Sequence, residues 1–427
     1  MTEVDVAPSG RPERVPVVEF DMASHDGHRR SNEAWSELRG KCPVAWSDDN
    51  GGAWIATSYA AVAEGFRNWE AFRSGRDVRT VPGPGGSPMY NAINAAPTEL
   101  STVLVPEELD PPQWHAFRRL FADLLSPRGA KALMPRVEHW VTKYLDDVIE
   151  LGECDLVHAL SSRVPGAVVL EWLGFPEDEW HRLIDSFHNM AEYVPGMPDA
   201  QHYLDELEWT VQRIHEAVAD RRANPRDDVT SVMANFEIDG ERVSFEHSAG
   251  MVLMIMSGGV DTTTSLTGAA LVHLHRHPED RRRLVEDPDL IVRATEEFLR
   301  VYPPARTHGR TVVEDTELGG CLLRKNDRLI LSEVSACHDE QQFPDADQFL
   351  VDRFPNRHMA FGLGLHRCPG SHIARLMFKE IMTQVLERIP DYVLVEDGIR
   401  EYPNWTASGG WSRLPATFTP GIRRLSP

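Results

Sequence analysis

One of the chain's five cysteines, Cys368, sits in the stretch HMAFGLGLHRCPG, His358 to Gly370. A free cysteine is most often a small, buried, inert hydrophobe. This one follows His366 and Arg367, has glycines at 362, 364 and 370 nearby, and precedes a strongly helical run. A thiol ligates metal only as thiolate, and thiolate needs positive potential. Three sources are at hand: Arg367, His366, and the N-terminal dipole of the helix that begins near Gly370. Gly362 and Gly364 permit backbone turns that a Cβ forbids, so the loop's N–H groups can fold around a buried sulfur. No acid–base pair stands beside the thiol, as a cysteine hydrolase would need. A single thiolate as axial ligand to a haem iron satisfies these conditions.

A second constellation is GGVDTT, Gly258 to Thr263, inside an apolar helical run. Each glycine in mid-helix costs roughly 1 kcal/mol against alanine. Asp261 and Thr262 are also poor choices for a buried helix. Such losses are accepted mainly at functional sites; a kinked helix with a satisfied polar cluster is the plainer alternative. DPPQWHAFRRLF opens another helix with Pro–Pro at its head. Trp114 and Arg118 are four residues apart and share a face. An indole N–H and a guanidinium both suit a haem propionate. EEFLR places Glu297 and Arg300 three apart, a spacing common in solvated surface pairs. Arg310, in HGRTVVED, reads by itself as a surface arginine.

Phe361, Gly362, Gly364, His366, Cys368 and Gly370 match the pattern F-G-x-G-x-H-x-C-x-G. On this motif the chain resembles the cytochrome P-450 monooxygenases, and the similarity runs along nearly its whole length. The resemblance implies haem b with Cys368 as the thiolate ligand, pushing electron density onto the iron. Phe361, Gly362, Gly364 and Gly258 would then border the cofactor. Asp261 and Thr262 match the family's acid–alcohol pair, which supplies protons for splitting dioxygen. The glycines before them would let the helix open over the haem. Trp114, Arg118, Arg310 and His366 match the propionate contacts, with Trp114 where many bacterial members carry His. Glu297 and Arg300 match a buried structural pair.

Two departures stand out. Cys337 and His338 replace the Asn–Arg common in bacterial members, which reads as local structural variation. Arg306, in YPPARTHGR, occupies a segment that usually lines the substrate pocket with apolar residues. It is expected to face the pocket and select substrates bearing a carboxylate or carbonyl.

The implied activity inserts one oxygen atom from O2 into a hydrophobic small molecule. Electrons would come from NAD(P)H through a separate ferredoxin and ferredoxin reductase, since 427 residues leave no room for a flavin domain. Arg119, Arg357, Arg367 and Arg375 are expected to form a basic face for that ferredoxin. Two alternatives remain. One is a peroxide-driven peroxygenase, whose relatives place Arg–Pro where this chain has the acid–alcohol pair. The other is a haem-binding carrier or sensor without turnover.

These residues need elements to hold them. VSFEHSAGMVLMIMSGGVDTTTSLTGAALVHLHRHP reads as one helix of about 30 residues, ~45 Å long. It is apolar on most sides and so must run through the core. After the cysteine loop, Ile373, Met377, Ile381, Val385 and Ile389 recur at helical spacing. From DPPQWHAFRRLFADLL the pattern is helical for about 180 residues. AWIATSYAAVAEGFRN reads as strand then helix, RTVVEDTELGG and DRLILSEVSA as strands, and SGGWSRLPATFTP as a hairpin. Arg76 to Leu109 is rich in Gly and Pro without sustained period, the mark of a binding loop. With FHNMAEYVPGMPDAQHYL, Met254–Thr263, Pro303–His308 and Gly409–Trp411, it would line the pocket. The expected fold is mainly α with small β-sheets (α+β). One domain, 21–427, would follow a flexible tail, 1–20.

The bulk composition agrees. A net charge of -22 excludes nucleic acid as a main partner, because phosphate binding needs a basic face. The most apolar stretch, Ser248 to Val260, falls short of the ~20 residues a membrane span needs, so no membrane insertion is expected. Five scattered cysteines without CxxC fit a reducing cytoplasm.

Overall fold

The computed structural model describes residues 35–48, 52–75, 102–190, 200–402 and 409–425. The predicted tail 1–20 lies outside the described residues, as do 76–101 and 191–199 of the predicted pocket segments. Helices dominate, and small sheets lie at their flanks.

The long helix spans Phe245–Arg276. The Ser244 hydroxyl caps it, accepting from the His247 N–H at 3.0 Å. Glu246 lies in the first turn and His273, His275 and Arg276 in the last, each suited to the helix dipole there. Most of its length is buried, as its apolar circumference requires. The backbone stays helical through Gly258 and Gly259. Gly259 allows close packing. A Cβ there would stand 2.8 Å from Val169 Cγ2, on the helix Arg163–Leu173.

The helix Ser371–Arg388 follows the cysteine loop. Met377, Ile381 and Val385 are buried on it, and Ile389 just beyond its end, as the spacing predicts.

The main sheet orders its strands Val44–Ser47, Ala53–Ala56, Arg328–Ser332, Thr307–Val312 and Phe72–Arg73. Its central pair sets Leu331 opposite His308 and Leu329 opposite Arg310. Side chains alternate along a strand, so His308 and Arg310 share one face.

The predicted C-terminal hairpin does not form. Trp411–Arg413 pairs with Arg400–Glu401, whereas Pro415–Thr417 pairs with Val393–Leu394 and Glu153–Asp155. Only Leu414 separates the two strands, too little for the two-residue turn a tight hairpin uses. The chain runs on with Leu414 buried.

Candidate active site

The cysteine loop is tied to itself and packs against Phe66, on the helix Tyr59–Arg67. Gly362 N–H donates to the Met359 carbonyl (2.7 Å) and Cys368 N–H to the Phe361 carbonyl (2.9 Å). Gly362 and Gly364 both have positive φ, +61° and +66°. At Gly364 a Cβ would also come within 2.5 Å of the Phe66 carbonyl oxygen. Cys337, noted above as a departure, sits beneath this loop, and its sulfur accepts from the Met359 N–H at 3.3 Å. Burial pushes the Cys337 thiol up to about 12, so it stays a neutral packing group.

Cys368 itself faces a cavity; none of the other four cysteines lines it. Burial raises its thiol above the ordinary value, opposed by the Gly370 N–H, Arg118 and Arg367. The helix start and Arg367 therefore act as the sequence suggests, and Arg118 joins them. Glu107 works with burial against the thiolate. This field does not overcome burial, so a bound cation is what would hold the thiolate.

The long helix brings Gly258, Asp261 and Thr262 to the same cavity. Thr262 turns its hydroxyl back, donating to the Gly258 carbonyl at 2.9 Å. Asp261 Oδ1 is buried without a hydrogen-bond partner, and His188 Nδ1 stands 4.0 Å away. Burial pushes the Asp261 carboxyl up to about 7, so it exchanges its proton near neutrality. Much of the remaining wall is apolar, with Phe121, Leu125, Val168, Phe187 and Leu253 among its residues.

At another edge stand Arg310 and His366, both lining the cavity. The Trp114 ring meets His366 edge-on with centroids 6.0 Å apart, and Arg118 lies over Trp114. Arg118 also donates to the Arg367 carbonyl, one residue before the cysteine. Trp114 Nε1 is a buried donor without a hydrogen-bond partner, His366 Nε2 has only Asp110 at 3.9 Å, and Arg310 reaches its neighbour's carbonyl at Gly309. Unsatisfied buried donors of this kind need acceptors. Arg310 and His366 line the cavity and Trp114 and Arg118 stand behind His366, so propionate carboxylates at this edge would supply acceptors, and the residues fit a haem.

Sequence reasoning singled out none of four other groups here, although Glu107 and His308 fall in segments expected to line the pocket. Glu107 and Asp110 stand 3.8 Å and 3.9 Å from the two His366 nitrogens. His308 and Glu333 also line the cavity. The period of the strand could have revealed His308, two residues before Arg310.

The remaining predicted residues lie elsewhere. Glu297 and Arg300 are both fully buried and joined by two hydrogen bonds, 2.8 Å and 2.9 Å. Arg300 also donates to the carbonyls of Cys337, Ala346 and Gln348, and Arg353 adds a second guanidinium on Glu297. This is a knot holding the segment that leads into the cysteine loop. Arg306 does not line the cavity, contrary to expectation. It turns toward the C-terminal strands, where Gly409 leaves room: a Cβ there would lie 2.3 Å from its Nε. Burial lowers its guanidinium to about 10, with Glu401 opposing.

Known proteins carry the same plan. The cytochrome P450 family model matches residues 175–389. A steroid C26-monooxygenase of Mycolicibacterium smegmatis is 32% identical over 407 residues, 94% of this chain and 95% of that one. A linalool 8-monooxygenase of Pseudomonas putida is 28% identical, covering 88% of this chain and 92% of its own. The open form of cytochrome P450 EryK from S. erythraea has a TM-score of 0.81 at 26% identity, covering 95% of this chain and all of that one. The chain belongs to the cytochrome P450 family. It is a haem-thiolate monooxygenase, and its cofactor is haem b with a cysteine thiolate as axial ligand. No helix among the described residues is long and apolar enough to cross a membrane.

Proposed function

We propose that this chain is a cytoplasmic monooxygenase of hydrophobic small molecules, reduced by NAD(P)H through a separate ferredoxin and its reductase. Residues 21–427 form its oxygenase domain. One observation carries the reading: Cys368 and the pair Asp261–Thr262 line the same largely apolar cavity. The haem, when bound, supplies activation of O2 and transfer of one oxygen atom to a C–H bond.

The chain's residues divide the remaining work. Cys368 is the axial ligand, and Trp114, Arg118, Arg310 and His366 hold the propionates. Phe361, Gly362, Gly364 and Gly258 shape the cofactor's borders. Glu297 and Arg300 fix the loop from behind and take no part in the chemistry. The apolar wall orients substrate and keeps bulk water out. Relatives named for a steroid and for linalool, and a wall of Leu, Val and Phe, support a terpenoid or steroid-like substrate.

Protons must then be delivered by the protein. Asp261 gains and loses one at its carboxylate near neutral pH, and the Thr262 hydroxyl passes it inward. Two titrating or hydroxyl groups in sequence make a route where water is excluded. The pair also favours O2 over peroxide as oxidant, since peroxide-driven relatives carry Arg–Pro there.

Carbon monoxide tests the ligand. The reduced wild type bound to it should absorb at the wavelength that names the family, and Cys368→His should move the band to that of histidine-ligated haem. An unchanged band in the variant would assign the iron to another residue. A Soret-shift screen of terpenes and steroids against the ferric enzyme then reads the substrate class.

A further inference from the structure

The cavity wall holds one ion pair that the roles above leave unused. His308 Nδ1 lies 2.6 Å from Glu333 Oε2, and the Glu333 side chain is fully buried. Glu333 Oε1 has no hydrogen-bond partner. Both residues line the cavity. With Nδ1 committed to Glu333, the imidazole has one polar atom left. No other described residue bonds its Nε2. The Phe66 ring meets the imidazole edge-on at 5.7 Å and fixes its plane. His308 also shares its strand face with Arg310.

We propose that His308, braced by Glu333, is a carboxylate-binding donor on the cavity wall, its Nε2–H directed at an anionic oxygen. The groups acting on it are Glu333, Glu107 and Arg310. Burial alone would lower its basicity, but the two carboxylates outweigh burial and Arg310 and raise it. A fully buried carboxylate 2.6 Å from Nδ1 favours the imidazolium, in which both nitrogens donate, Nδ1–H to Glu333 and Nε2–H into the cavity. Charged donors prefer charged acceptors. Arg310 beside it presents a second cation to the same space, which disfavours an amine and favours an anion. Should the anionic oxygen belong to a substrate, the role of polar-end selector expected of Arg306 falls to His308, two residues on.

Two carboxylates could reach it: a haem propionate, or the acidic end of a substrate. The proposal rests on the haem reading, since a bound haem supplies the propionate of the first source and the absorption that reports the second. Holoenzymes of the wild type, His308→Leu, His308→Arg and Glu333→Gln separate them. Resonance Raman of the propionate-bending modes reads the first. Soret titrations with dodecanoate and with methyl dodecanoate read the second.

If a propionate is the ligand, His308→Leu shifts the bending mode, speeds haem transfer to excess apomyoglobin about tenfold, and His308→Arg restores both. If a substrate carboxylate is the ligand, the bending mode stays. The dissociation constant for dodecanoate then rises about tenfold in His308→Leu while that for the ester does not. Glu333→Gln keeps the shape of the pair, removes its charge, and should weaken whichever effect is seen; it also stands in if His308→Leu does not fold. No change in either measurement overturns the proposal. A wild type lacking the thiolate spectrum would instead overturn the Cys368 reading, and the propionate modes would still be readable.

Discussion

Asp261 carries a pH dependence of its own. Its carboxyl titrates near 7 in the fold because burial penalises the anion. In the unfolded chain it titrates near the ordinary value of about 3.9. Between these values the folded state binds the extra proton, so stability falls as pH rises. The contribution is fully present below about 4 and is lost as pH rises through about 7. Asp261→Asn removes the dependence. The wild-type melting temperature should fall relative to that variant between pH 5 and pH 8, and two parallel curves would show a normal carboxyl. Thr262 makes a different prediction, because its hydroxyl is held by the Gly258 carbonyl and carries no charge. Thr262→Ala should keep haem and NAD(P)H consumption, while product falls by roughly 10²–10⁴-fold, the range for a proton-relay group. The missing reducing equivalents should appear as hydrogen peroxide. Undiminished product per NAD(P)H would move the relay elsewhere, with Thr263, also on the cavity wall, the nearest candidate.

Among the elements, the cysteine loop has the narrowest tolerance. Gly364→Ala must place a Cβ against the Phe66 carbonyl at positive φ, where an L-residue already costs roughly 1–2 kcal/mol. The variant should fold with normal far-ultraviolet dichroism and bind less haem per chain; full haem content would show that the loop yields. The knot behind it should fail globally. Arg300→Leu removes one of the two guanidiniums on the buried Glu297 and leaves Arg353 as the other, so the loss should lie at or below the lower end of the range for a broken buried pair, about 3 kcal/mol, which a thermal melt will register. Local rules explain which elements could be foreseen. The long helix and Ser371–Arg388 declare themselves by periodic apolar residues, and the loop by glycines around one cysteine. The C-terminal strands show why pairing could not be: alternation marks Trp411–Arg413 and Pro415–Thr417 as extended, yet their partners lie at 400–401, 393–394 and 153–155. Arg306 failed for a similar reason. A segment's usual position does not say which way a long side chain turns when a glycine, here Gly409, opens another space. Glu333 lies 25 residues from its partner His308, and only the strand register brings them together.

At the scale of the molecule, charge bears on the proposed reduction by a ferredoxin. A chain of net charge -22 repels an acidic ferredoxin at long range, so docking needs a local patch of opposite sign. Of the four arginines expected to make it, Arg375 is spent: both its Nε and Nη2 are tied to Glu296, at 2.6 Å and 2.7 Å. Arg119, Arg357 and Arg367 remain exposed. Arg367 acts on the cysteine as well, so a clean test uses the other two. The double variant Arg119→Glu, Arg357→Glu should slow reduction by an acidic ferredoxin by about tenfold at low ionic strength, the scale on which rim charges alter association. Added salt should close the gap, since at 0.15 M exposed charges are screened beyond about 8 Å. The wild type slows as its attraction is screened, and the variant speeds up as its repulsion is. Reduction by dithionite and the carbon monoxide spectrum should match in both proteins, because neither arginine lines the cavity. Equal ferredoxin rates at low salt would place the electron entry on a different face.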